Sequence, residues 1–118
     1  MPTWDDVVAI GSGLPGVEEG TSYGRPALKV GGKFMCSLRT DPDALVARVS
    51  DMEDRQALLQ GRPEVFFSTP HYDGYPYVLV RLEAIDPREL AELVEDAWRL
   101  RAPKRVVAGY DATQTPDA

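Results

Sequence analysis

The run Arg25-Pro26-Ala27-Leu28-Lys29-Val30, the pair Gly31-Gly32 and the run Lys33-Phe34-Met35-Cys36-Ser37-Leu38-Arg39 read as two extended segments folded about a glycine turn. Two apolar-rich runs around Gly-Gly predict a β-hairpin. Its register decides which side chains enter the core. A two-residue loop pairs Val30 with Lys33 and Leu28 with Met35, and leaves Phe34, Cys36 and Leu38 on the face of Lys29. A three-residue loop pairs Val30 with Phe34 and Leu28 with Cys36, and gathers five apolar side chains on one face. A slip of one residue moves every side chain to the other face, so burial favours the second register. Against it stands the left-handed conformation it asks of Lys33.

Downstream of the hairpin, Asp41-Pro42-Asp43 predicts a turn and Ala44 to Val49 a third strand. Ser50-Asp51-Met52-Glu53 reads as a capping box opening a helix that Gly61 and Pro63 stop. Val65 to Thr69 and Tyr77 to Leu82 predict two more strands, joined by the aromatic loop Pro70-His71-Tyr72-Asp73-Gly74-Tyr75-Pro76. Asp86, Pro87 and Glu89 then supply a cap, a first-turn proline and a capping-box partner. Leu90, Leu93, Val94, Ala97 and Trp98 follow the stripe of an amphipathic helix. Ala102-Pro103 interrupts it, and Lys104 to Tyr110 predicts one or two further helical turns. Upstream, Thr3 and Asp6 form a capping box for a short helix through about Ile10, ended by Gly11-Ser12-Gly13-Leu14-Pro15-Gly16. The order is helix, three strands, helix, two strands, helix. That predicts an α+β fold of two layers, with a mainly antiparallel five-stranded sheet and helices on one face.

The chain has 118 residues, 43% of them hydrophobic, with 13 Lys+Arg against 19 Asp+Glu and a net charge of -6. One domain over 1–110 and a polar tail over 111–118 account for that length. No apolar run approaches the roughly 20 residues of a membrane-spanning helix. The first residues show neither the basic start nor the apolar stretch of a secretory signal. A cytoplasmic protein without a membrane partner is expected. A single cysteine, Cys36, excludes an internal disulfide framework and a cysteine zinc cage.

The candidate chemistry is thin. Gly11 to Gly16 matches G-x-G-x-x-G in letters only, because a dinucleotide site needs a strand before it and a helix after it. His71 is the one histidine, so it and Asp73 offer two metal ligands where three or four are usual. Thr69 is the nearest hydroxyl in sequence, and spacing places no nucleophile beside the imidazole. Cys36 on an apolar strand face reads as a packed, inert thiol. Asp41, Asp43, Asp51, Glu53 and Asp54 lack the spacing of a calcium loop and are explained by capping and solvation. No catalytic residue, metal site or cofactor is assigned.

The basic residues form the candidate surface. Trp98 to Arg105 carries four positive charges and no negative one, and Arg25, Lys29 and Lys33 decorate the hairpin. If the Arg25–Lys33 hairpin, the His71–Tyr75 loop and the Trp98–Lys104 helix end converge, they build a basic patch with aromatic rings. Its candidate ligand-binding residues are Arg25, Lys33, His71, Tyr72, Tyr75, Trp98, Arg101 and Lys104. Such a patch suits a phosphate backbone or unstacked bases, so a nucleic acid or another polyanion is the expected partner. The net charge of -6 opposes approach to a polyanion as a whole. Two alternatives differ in class. One is a protein-interaction module or chaperone-like homodimer, pairing through Met35 and other apolar residues on an uncovered sheet face. The other is a small enzyme using His71 with Tyr72 or Arg25.

Several segments together resemble the MmcQ/YjbR family of small bacterial proteins. They are Leu14-Pro15-Gly16-Val17-Glu18-Glu19; Tyr23-Gly24-Arg25-Pro26 with Lys29 to Phe34; Thr69-Pro70-His71-Tyr72 with Gly74-Tyr75-Pro76; and Ala97-Trp98-Arg99 with Ala102-Pro103-Lys104. The resemblance runs from about Trp4 to Tyr110. It implies the same two-layer fold, similar to type III secretion chaperones and loosely to frataxin. Family members are often labelled DNA-binding, a label drawn from the fold, and the family carries no established catalytic residues.

Overall fold

Thr3 caps the first helix as its sequence predicts: the threonine side chain accepts from the Asp6 backbone, and the Asp6 carboxylate accepts from the Thr3 backbone N–H at 2.8 Å. The computed structural model describes residues 2–40 and 44–114. The elements are α1 (Trp4–Ser12), β1 (Val17–Ser22), β2 (Arg25–Val30), β3 (Lys33–Arg39), β4 (Ala44–Arg48), α2 (Met52–Gly61), β5 (Phe66–Phe67), β6 (Tyr77–Arg81), α3 (Pro87–Arg101) and α4 (Lys104–Gln114). The expected Asp41–Asp43 turn and the end of the tail, 115–118, lie outside the described residues. Asp111 to Gln114, expected in the tail, continue α4.

The fold is α+β with an antiparallel sheet, as expected, but the sheet has six strands, in the order β1-β2-β3-β4-β6-β5. The additional strand is β1. Its sequence, Val17-Glu18-Glu19-Gly20-Thr21-Ser22, has one apolar residue and lies at the edge, mostly exposed, so it carries no alternating signal. Pairing with β2 makes it a strand, in register from Val17↔Val30 to Ser22↔Arg25.

The hairpin turn resolves the register in a way neither simple loop provides. Gly31 and Gly32 both have positive φ, 59° and 78°, and close a two-residue turn with Val30 opposite Lys33. Glycine fills both positions without strain. Further along, Leu28 faces Cys36, the pairing expected of the longer loop. A bulge absorbs the difference, leaving Met35 as the extra residue between Phe34 and Cys36. Met35 and Cys36 both become fully buried in the core, and Lys33 is spared a left-handed conformation.

That bulge also corrects the expectation for Met35. It packs in the helix-covered core rather than on an open face, so it supplies no surface for pairing two copies.

The helices lie on one face. Leu90, Val94, Ala97 and Trp98 of α3 are buried against Val7 of α1 and against Leu28, Cys36, Leu45, Val78 and Val80 of the sheet. Burying a side chain the size of Leu90 or Val94 contributes about 1.5–3 kcal/mol. Gly11 lets α1 approach, since a Cβ there would lie 2.5 Å from Leu28 Cδ1. The letters that mimic a dinucleotide motif thus mark the close-packed, C-terminal end of a helix, whose dipole disfavours phosphate. Asp86 caps α3 by accepting from Arg88 and Glu89 backbone N–H groups. Glu89 does not turn back to complete the expected box. Its carboxylate instead takes the Arg62 guanidinium at 2.9 and 3.0 Å, tying the end of α2 to the start of α3. No helix among the described residues is long and apolar enough to cross a membrane.

Candidate functional site

Strand register sorts the sheet's side chains into two faces, because successive residues alternate. Leu28, Cys36, Ala47 and Val78 stand in one row across the strands, and Leu38, Leu45, Val80 and Phe66 in another; these meet the helices. The intervening rows, Ala27-Ser37-Val46-Leu79-Phe67 and Arg39-Ala44-Arg81, face away from them. On this second face the Arg81 guanidinium lies 4.3 Å from the Phe67 ring centre.

The aromatic loop stands against this face. Pro70–Tyr72 forms a single 3-10 turn, and Gly74, at φ 85°, turns the chain back into β6. A buried arginine reaches over from α2 to hold the loop. Arg55 donates from Nε to the Tyr77 carbonyl at 2.9 Å and from a terminal nitrogen to Ser68 Oγ at 2.5 Å, with Asp73 at 3.8 Å. The Pro76 carbonyl accepts from the Val49 N–H at 2.9 Å.

The result is a groove of about 1310 Å³ between loop and sheet. Arg25, Arg39 and His71 line it, with the rings of Tyr23, Phe34, Tyr72, Tyr75 and Tyr77. The rings form a connected run: His71 meets Tyr72 edge-on at 4.8 Å, Tyr72 lies 6.2 Å from Tyr77, and Tyr77 meets Phe34 edge-on at 5.7 Å. Edge contacts of this kind fix ring orientation before any ligand arrives. Ser22 and Ser37 add hydroxyls, and among the described residues no Asp or Glu lines the groove. Thr69 Oγ1 is buried and, among the described residues, the one such side-chain atom without a hydrogen-bond partner.

Of the sequence candidates, Arg25, His71, Tyr72 and Tyr75 come together here. The other four do not line the groove. Trp98 is fully buried under the opposite face, where its indole N–H donates to the Pro15 carbonyl at 2.9 Å, and it has no surface for a ligand. Its place on the apolar stripe of α3 is the physical reason. Arg101 donates to the Phe34 carbonyl at 3.1 Å and so fastens the end of α3 to β3. Lys33 and Lys104 are exposed beside the Gly31-Gly32 turn and the start of α4. Tyr23, Phe34, Arg39, Thr69 and Tyr77 were not among the candidates. Their signal lies in parity: Phe34 and Tyr77 become neighbours only once β3, β4 and β6 are aligned.

His71 is exposed and, among the described residues, hydrogen-bonded to no carboxylate that would orient it. Cys36 lies in the core, where burial pushes its thiol up to about 12. No group of three or more His, Cys, Asp or Glu among the described residues could hold a metal ion.

A second cleft, of about 530 Å³, opens between α2 and α3 and has the opposite charge character. Asp54, Glu89, Glu92 and Asp96 line it with Arg48 and Arg99. The Asp96 carboxyl is raised from its ordinary range, first by desolvation against the cleft wall and then by Glu95, with Glu92 and Asp54 adding and Arg99 opposing. The Arg99 guanidinium also holds Asp111 of α4 at 2.8 and 3.1 Å and lowers its carboxyl.

A family model described as YjbR matches residues 12–100. The chain is 39% identical, over 93% of its length and 96% of theirs, to uncharacterised proteins of Mycobacterium tuberculosis (Rv2570) and Mycobacterium bovis (Mb2600). Its structure is similar to the crystal structure of Deinococcus radiodurans protein DR2400, a DUF419 domain, with a TM-score of 0.73 and 25% identity over 85% of this chain and 78% of that one.

Proposed function

The chain belongs to the YjbR family, and from that footing we propose that it is a non-catalytic cytoplasmic binding protein that takes a nucleic acid or related polyanion into the groove on the sheet face turned away from the helices. One observation carries the reading. A chain with a net charge of -6 places two arginines, a histidine and five aromatic rings along this groove and, among the described residues, no carboxylate. Whole-molecule repulsion slows the approach of a polyanion, but it is screened beyond roughly 8 Å at physiological salt. The contacts within the groove are local and survive that screening.

The test is fluorescence anisotropy with labelled oligonucleotides across a salt series. Binding at low salt with a Kd of roughly 1–100 μM, weakening as salt rises, is the expected result. Replacing Arg25 and Arg39 together by alanine removes two phosphate contacts and flattens the salt dependence by about two in log-log slope. No binding at about 100 μM in low salt, or binding that ignores the double substitution, overturns the proposal.

A further inference from the structure

The turn between β1 and β2 carries a side chain for which the fold has no use. Tyr23 is, among the described residues, the one non-glycine residue with φ in the left-handed region, at 52°, and it is 100% exposed. With Gly24 at φ 78° it forms a two-residue hairpin turn in which asparagine or glycine sits without strain and tyrosine does not. An exposed ring buries nothing that would offset the strain. Yet Tyr23 lines the same groove as Tyr75, which is 57% exposed, and both project rings into solvent where the inner rings are packed edge-on.

We infer that Tyr23 and Tyr75 are stacking platforms for unpaired bases, so that the groove takes single-stranded nucleic acid in preference to duplex; this rests on the polyanion reading above. A duplex keeps its bases stacked on one another and offers a protruding tyrosine only its backbone. A single strand offers a flat face at every base, and stacking on an aromatic ring tolerates any sequence.

The experiment compares wild type with Tyr23→Asn and Tyr75→Ala against three probes: a short oligothymidylate, a duplex of the same length and inorganic polyphosphate. Wild type is expected to bind the single strand more tightly than the duplex. Each substitution is expected to weaken single-strand binding roughly five- to a hundredfold, and to leave polyphosphate binding unchanged. Tyr23→Asn relieves the strained turn, so a melting temperature at or above that of wild type accompanies the loss of binding and separates it from unfolding. Equal affinity for duplex and single strand, or single-strand binding untouched by both substitutions, overturns the inference while polyphosphate binding keeps the polyanion reading alive. Failure of all three probes to bind wild type overturns both.

Discussion

Arg55→Met is expected to destabilise the fold by about 2–4 kcal/mol and to loosen the wall of the groove. The magnitude follows from the partners. Arg55 is 6% exposed and makes two charge-assisted hydrogen bonds, to the Tyr77 carbonyl and to Ser68 Oγ. At about 1.5–3 kcal/mol each, their gross loss is about 3–6 kcal/mol. Methionine keeps the apolar stem and no longer carries the desolvation of a buried charge, which offsets part of that loss. Asp73, at 3.8 Å with its side chain 73% exposed, adds little. For a chain of this length the net value corresponds to a drop in melting temperature of roughly 8–16 °C. Urea denaturation followed by circular dichroism measures the stability. Hydrogen exchange over residues 69–77 reports whether the loop has loosened locally, ahead of global unfolding. Arg55→Lys, which has one ammonium for two acceptors, is expected to fall between the two. Stability within about 0.5 kcal/mol of wild type, with unchanged loop protection, would show that the arginine is not what holds the groove's wall.

Two further outcomes concern titratable groups. The folded-state carboxyl of Asp96 is raised above its unfolded value, so its favourable contribution is complete below about pH 4 and is lost as pH rises through the folded value. Asp96→Asn is therefore expected to raise the melting temperature at neutral pH, with the gain vanishing near pH 3; a gain of equal size at both would refute the electrostatic cause. The Cys36 thiol, pushed up to about 12 by burial, is expected to resist alkylation in the native protein at about pH 8 and to react at once in denaturant; native-state modification followed by mass spectrometry checks this.

The site divides along the same line as these predictions. The loop Pro70 to Pro76 was legible because its aromatic residues cluster within one turn-rich segment, and Arg25 because it borders a recognisable hairpin. Arg55 was not, since an arginine in a helix of weak apolar periodicity reads as solvated; only the closing of the loop over the end of the sheet buries it. Trp98 was misplaced for a related reason. Its neighbours in sequence are cations, but its neighbours in space are the apolar residues of its own helical stripe and the Pro15 carbonyl.

What the amino-acid sequence determined alone is local: the Thr3-Asp6 and Asp86-Pro87 helix starts, the stripe from Leu90 to Trp98 and the hairpin at Gly31-Gly32. Those signals sit within a few residues of one another, where capping, periodicity and backbone freedom act. Tertiary structure decided which strand belongs to the edge, where the bulge at Met35 falls, and which residues share the groove. Such assignments depend on pairing between segments far apart in the chain. A shift of one residue there exchanges the buried and exposed faces without altering a single local preference.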